Sequence, residues 1–330
     1  MDKGMKRLLI GSAVTAGALG AAGVAYGAAT HYLVKVALDR QLPKHTAGAE
    51  RRLAGGCFDG AFLQDLRQKG RQLKEKSGET VRIAGRDGVE LVGHWFAHPQ
   101  PRRIIVAMHG WRSSWYNDFG TVADFWFDNG CSVLFAEQRG QGESGGDHMS
   151  FGLLERHDCL SWVNWVTVRE KVLPVYLCGV SMGASTVLMA AGLDLPDRVK
   201  GIIADCGYTS PEAIWRHVAK ENLRLSYGLH GLAARDLCRR KLQVAIDDYS
   251  CVDAMAECQV PVLFVHGTDD RFVPIEMTYE NYKACAGPKR LLVVPGAGHG
   301  MSYYLDPKAY QKAFLQFWET YDGEEQPSVG

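Results

Sequence analysis

The chain has no excess of charge: Lys and Arg together number 37, and so do Asp and Glu. A neutral balance gives no electrostatic footprint for a polyanion, so no nucleic-acid partner is expected. No Cys-x-x-Cys pair occurs among the nine cysteines, which removes the spacing that zinc sites and dithiol redox motifs need. Most of the cysteines fall on expected core strands and helices and are read as small buried hydrophobes. The odd total leaves at least one thiol unpaired, and Cys251 with Cys258 is the pair that could bridge in an exported domain. From Leu8 to Val34 there is no Asp, Glu, Lys or Arg at all. That stretch is long enough, as a helix, to cross a hydrocarbon core of about 30 Å. Lys3, Lys6 and Arg7 precede it, which keeps Met1 cytoplasmic and sends the remainder across the membrane. Residues 1–40 are therefore expected to be a membrane anchor holding an extracytoplasmic domain. Ala25-Tyr26-Gly27 is the alternative, a cleavage site that would release a secreted chain.

What is present describes an ordinary globular enzyme, with hydrophobic residues at 46% and charged residues at 22%. Residues 41–80 read as a helical lead-in, with Phe58, Phe62, Leu66 and Leu73 at helical spacing. From Val81 onward short apolar strands alternate with helical segments, and this alternation predicts a mostly parallel sheet covered by helices on both faces. The domain is expected over 81–322, with a flexible tail at 323–330. About 208–257 interrupts the alternation with Trp215, Leu223, Leu225 and Leu229 on helical patterns, the pattern of a small helical cap over a site. Arg235, Arg239, Arg240 and Lys241 in the cap read as a solvated face, with contact to anionic lipid headgroups as the alternative.

The chemistry concentrates at strand ends. Gly179-Val180-Ser181-Met182-Gly183 lies between a run of strand formers and a run of helix formers, the context in which Gly-x-Ser-x-Gly becomes a nucleophile elbow. Gly179 and Gly183 are required where a Cβ would clash in so sharp a turn. A serine hydroxyl needs a base, and the base needs a carboxylate to orient it. The strand Val260–Val265 runs into His266-Gly267-Thr268-Asp269-Asp270, and the strand Arg290–Val294 runs into Pro295-Gly296-Ala297-Gly298-His299. Both lie at carboxyl ends of strands, where open α/β sheets keep their sites. Asp205, at the end of a third strand, is a further carboxylate in reach. His109 and His266 are read as satisfying turn hydrogen bonds, and the Trp111 side chain as a pocket wall.

Together with His109-Gly110-Trp111 and the loop Arg139-Gly140-Gln141-Gly142-Glu143-Ser144, these motifs resemble the α/β-hydrolase superfamily over about Val81 to Tyr321. Within it the chain is similar to small bacterial membrane-anchored esterase-like proteins of the Bem46-like group. The loop departs from the family's commoner form, having Glu137 and Gln141 where Asp and His are frequent. The resemblance implies the α/β-hydrolase fold, an eight-stranded, mostly parallel sheet with a helical cap. It implies Ser181 as nucleophile, His299 as general base and Asp270 as the orienting acid, with Asp269 and Asp205 as the alternatives for the acid. It implies backbone N–H groups of Met182 and Trp111 as the oxyanion hole. No His-Gly-Gly-Gly run occurs, which argues against the hormone-sensitive-lipase type, and Ser at 181 excludes dehalogenases, which need Asp there.

The expected activity is cleavage of a carboxylic ester through an acyl-enzyme, without cofactor or metal. Small-molecule esters, medium-chain or lipid-like, are the expected substrates and the membrane the expected partner. A serine peptidase or amidase is the alternative within enzymes. A non-catalytic, membrane-anchored binding protein with the same fold is the alternative outside them.

Overall fold

A computed structural model describes residues 23–42 and 60–323. Its frame is a sheet of eight strands in the order β1-β2-β4-β3-β5-β6-β7-β8. They are β1 Glu79–Ala84, β2 Glu90–Phe96, β3 Arg103–Met108, β4 Cys131–Ala136, β5 Val175–Val180, β6 Val199–Asp205, β7 Val262–Gly267 and β8 Lys289–Val294. β2 pairs antiparallel with both β1 and β4, and every other neighbouring pair is parallel. The strands read as apolar runs because a parallel sheet is buried on both faces.

Side-chain alternation assigns each strand residue to one of two cores. Ile104, Val106 and Met108 of β3, with Val175 and Leu177 of β5, face one cluster. Cys159, Trp162 and Val166 of the helix Glu155–Arg169 complete it from above. Ile105, Ala107, Tyr176 and Cys178 face the other, which is closed by Phe314, Phe317 and Trp318 of the helix Pro307–Tyr321. β3 has β4 on one side and β5 on the other. The chain thus reverses its direction of winding there, and the crevice that opens at the carboxyl ends is where α/β sheets take ligands.

The helical segment between β3 and β4 is broken into two, Trp115–Phe119 and Ala123–Asp128. Gly120 lies at the break because the helix Gly60–Glu75 comes so near that a Cβ would sit 2.6 Å from the Gly70 nitrogen. The N-terminal segment is described from residue 23 onward. Its last part is a helix over residues 23–38, and Thr30, Val34 and Leu38, four residues apart on one face, are buried, Val34 and Leu38 in the core of the sheet domain and Thr30 beside His230 of the helix Tyr227–Leu242. Those positions belong to the body of the protein, because their side chains fill its surface instead of facing lipid. No helix among the described residues is long and apolar enough to cross a membrane. The stretch from Leu8 to residue 22 and the tail from residue 324 lie outside the described residues.

Between β6 and β7 the chain forms the helix Pro211–His217, a π-helical turn at Val218–Asn222, the helix Tyr227–Leu242 and the helix Cys251–Glu257. Ser210 caps the first of these by accepting from the Ala213 N–H at 3.0 Å. Arg235, Arg240 and Lys241 pair with Asp247 at 3.0 Å, Asp236 at 2.8 Å and Asp39 at 2.8 Å, and Arg239 lies 3.7 Å from Asp248. The basic face is thus balanced by the protein's own carboxylates. The cysteines differ from expectation in their neighbours. The Cys251 thiol donates to the Ser185 carbonyl, and Cys258 meets Cys285 instead of Cys251. The eight described cysteines are free, and Cys57 lies outside the described residues.

Candidate active site

Ser181 stands between β5 and the helix Met182–Ala190 with φ 56° and ψ −118°. A non-glycine residue held there is strained, and the surrounding backbone must impose the conformation. A Cβ on Gly179 would fall 2.2 Å from the Gly183 carbonyl oxygen, and one on Gly183 would fall 1.8 Å from that of Met108. Both glycines are therefore demanded by close backbone approach, and the turn that they permit lifts the Ser181 hydroxyl out of the sheet.

Two further strand ends bring the partners. His299, after β8, lies with Nε2 2.8 Å from Ser181 Oγ and with Nδ1 2.7 Å from Asp270 Oδ2. A carboxylate only accepts, so Nδ1 carries the proton and Nε2 is left to receive the serine's. Asp270, after β7, has a fully buried side chain. Its Oδ1 accepts from the N–H groups of Phe272 and Val273, both at 2.9 Å. His266 Nε2 lies 3.2 Å from Oδ2 and 2.9 Å from the Val273 carbonyl, so it too carries a proton. Burial alone would raise the Asp270 carboxyl. The neighbouring His299, with hydrogen bonds from His266 and His299, outweighs burial and holds Asp270 far below the usual carboxylate range. Burial likewise opposes a charged His299, yet the Asp270 carboxylate overrides it and lifts the imidazole well above the ordinary histidine range.

The other carboxylates are engaged elsewhere. Asp269 is exposed and accepts from the Thr268 hydroxyl at 2.9 Å. Asp205 accepts from the Ser302 hydroxyl at 2.9 Å, and burial pushes its carboxyl up to about 6.

The loop after β3 closes over the elbow. The Gly110 N–H is bound by Asp118 Oδ2 at 2.6 Å, so the next free amide along the loop is that of Trp111. Met182 begins its helix and its N–H has no acceptor within that helix. Trp111, Ser181 and Met182 border one cavity. His109 is neutral because burial lowers its pKa, and its Nε2 accepts the Gln138 N–H at 3.2 Å. The loop from Arg139 is fixed by ion pairs of that arginine with Asp158 at 2.6 Å and Asp87 at 2.7 Å. Glu137 faces His94 Nε2 at 2.9 Å. None of these side chains reaches Ser181.

Sequence reasoning missed three features. His266 does more than satisfy a turn, because it holds the Asp270 carboxylate; its spacing four residues before Asp270 was the only signal. Cys206, at φ 51°, lies with its thiol, Asp270 and His299 within 4.8 Å of one another, the one His, Cys and carboxylate group of this kind among the described residues. Burial pushes that thiol up to about 11, so it is neutral at pH 7. A cation there would have to break the contact between His299 and Asp270. The third is the share of the N-terminal helix in the cavity under the cap, which has a volume of ≈ 110 Å³ and is lined by Leu33 and Ala37 of that helix as well as by Trp111, Trp215 and Tyr227.

Comparison with known proteins agrees with this fold. The family model Hydrolase_4, serine aminopeptidase S33, matches residues 99–241. Protein YqkD of Bacillus subtilis (strain 168) is 29% identical over 241 residues, covering 71% of this chain and 76% of that protein. The Pyrococcus furiosus esterase Pf2001 superposes with a TM-score of 0.60 at 21% identity, over 79% of this chain and 96% of that one. Est1E from Butyrivibrio proteoclasticus, solved with ferulic acid bound, has a TM-score of 0.56 at 20% identity, over 74% of this chain and all of that one, 100%. With its sheet order, its elbow and these likenesses, the chain has the α/β-hydrolase fold and is similar to hydrolases and esterases built on it.

Proposed function

We propose that the protein is a serine hydrolase that cleaves carboxylic esters of apolar acyl groups. The observation that carries this reading is His299 bridging Ser181 and Asp270 through its two ring nitrogens, with Ser181 lining an apolar cavity. Ser181 Oγ attacks the ester carbonyl carbon while its proton passes to His299 Nε2. The carbonyl oxygen becomes an oxyanion facing the Met182 and Trp111 N–H groups, each such donor contributing about 3 kcal/mol. Collapse breaks the bond to the alcohol oxygen, which takes the proton from His299 and leaves. Water then attacks the acyl-enzyme, giving one proton to His299, and the second collapse returns that proton to Ser181 and releases the carboxylic acid.

The peptidase reading has one observation in its favour, the S33 aminopeptidase model that matches residues 99–241. Against it, no Asp or Glu lines the cavity among the described residues, so a free α-amino group would enter without a counter-charge. A panel of nitrophenyl esters of increasing acyl length beside aminoacyl nitroanilides separates the two. The expected result is ester turnover that Ser181→Ala and His299→Ala each lower by several orders of magnitude. Turnover confined to the anilides overturns the ester assignment, and a chain inert on both supports the binding-protein alternative.

A membrane location belongs to the same proposal. From Leu8 to Ala25 the chain is uncharged and would span about 27 Å as a helix, close to the thickness of a hydrocarbon core. Retention in the membrane pellet after alkaline carbonate extraction is expected, and release into the supernatant contradicts it.

A further inference from the structure

The cavity beside Ser181 has a wall from outside the sheet domain. Leu33, Val34 and Ala37, on the helix over residues 23–38, line it opposite Trp215 and Leu223 of the cap. This wall is held at both ends. At its carboxyl end Trp111 Nε1 donates to the Ala37 carbonyl at 2.8 Å. Arg112 donates to the carbonyls of Val36 at 2.7 Å and Asp39 at 2.5 Å. The Arg40 guanidinium reaches the carbonyls of Ser144 at 2.6 Å and Gly142 at 2.5 Å. Trp111 and Arg112 sit in the loop after β3 that lies against the elbow, so wall and loop are one unit. At its amino end the helix meets the cap. The Tyr26 ring stacks on His230 with centroids 3.6 Å apart. The Thr30 hydroxyl donates to the Tyr26 carbonyl at 3.0 Å and accepts from His230 Nδ1 at 2.5 Å.

The polar groups of Thr30 and His230 therefore satisfy each other at the cavity's edge and leave its interior apolar. We infer that this helix is the acyl-chain wall of the site and that His230 is the latch that closes the cap onto it, so that the cavity takes the alkyl chain of a fatty acyl group. The inference deepens the ester reading and rests on it for the position of the carboxyl end, which must meet Ser181. His230 is a positioning residue, since it holds the wall and does not touch the reacting atoms.

Binding of linear fatty acids from butyrate to palmitate to the full chain, followed by titration calorimetry, tests the inference without requiring turnover. Affinity is expected to rise roughly fourfold per methylene until the chain fills the cavity, and then to level off. Leu33→Trp is expected to bring that levelling to a shorter acid. Ala37→Leu is a smaller intrusion on the same wall and covers the case in which the tryptophan unfolds the chain. His230→Ala is expected to weaken the longest acids more than tenfold while affecting butyrate least. His31→Trp, on the exposed face of the helix, is expected to follow the wild type. A folded Leu33→Trp or Ala37→Leu chain that levels off where the wild type does overturns the wall, as does an equal effect of His31→Trp. A His230→Ala chain with an unchanged profile overturns the latch. A chain that binds the acids as expected, yet cleaves no ester, loses the ester reading and keeps the wall. One that cleaves acetyl esters with no dependence on acyl length or on position 33 does the reverse.

Discussion

His299 decides the chemistry because its two ring nitrogens do different things, Nδ1 being held by Asp270 while Nε2 is open to Ser181. Only the neutral imidazole can accept the serine proton, so activity falls as pH drops through the pKa of His299 in the folded protein. The Asp270 carboxylate raises that pKa above the ordinary 6.5, and the acid limb of kcat/KM is therefore expected above pH 6.5, displaced toward the alkaline side. A limb at or below 6.5 in the pH–rate profile would contradict this electrostatic account. At this scale the sequence was legible where a residue followed a strand, as Ser181, Asp270 and His299 do. It was not legible where the role depends on a neighbour from another element. Asp270 follows a strand and Asp205 ends one, and only the fold shows that the first meets His299 while the second meets Ser302. In the same way Cys258 finds Cys285 and not the nearer Cys251, because the chain between Cys251 and Cys258 is helical and the close contact comes from the segment before β8.

Among the elements, the elbow depends on backbone approach and the Arg139 loop on buried charge. Gly183→Ala would push a Cβ into the Met108 carbonyl at 1.8 Å, and this forces β3 and the elbow helix apart. The expected cost is about 3 kcal/mol or more of unfolding free energy in urea, with loss of ester turnover. A variant with unchanged midpoint and activity would mean that the elbow is not so tightly packed. Arg139 and Asp158 are almost wholly buried, with side-chain exposures of 6% and 1%. Removing the acid in Asp158→Ala leaves a buried guanidinium with only the half-exposed Asp87, and about 3–5 kcal/mol of destabilisation is expected from denaturant titration. Strand positions were readable because most are short apolar runs, and β4, β5 and β8 end in Gly-containing turns. The break at Gly120 was not, since it answers to Gly70 on another helix and leaves no local trace.

For the molecule as a whole, the N-terminal helix changes where the functional body begins. Composition separates residues 1–40 from the rest, because an uncharged run looks the same whether it faces lipid or protein. The fold divides that run, with Val34 and Leu38 seated on the sheet domain and Thr30 on the cap. A chain beginning near Ala47 would lose the burial of Val34, Val36 and Leu38. It is expected to be less stable by about 5 kcal/mol, taking roughly 1.5–3 kcal/mol for each buried aliphatic side chain. An unchanged urea midpoint for that fragment would show that the helix contributes nothing to the fold. The central claim is that Ser181 is a nucleophile activated by His299. Its most direct test is a fluorophosphonate reacted with the full chain at neutral pH, with the adduct located by peptide mass spectrometry. The expected result is one adduct, on Ser181, absent in Ser181→Ala and strongly slowed in His299→Ala; labelling that persists in Ser181→Ala, or no labelling of the wild type, would contradict the claim.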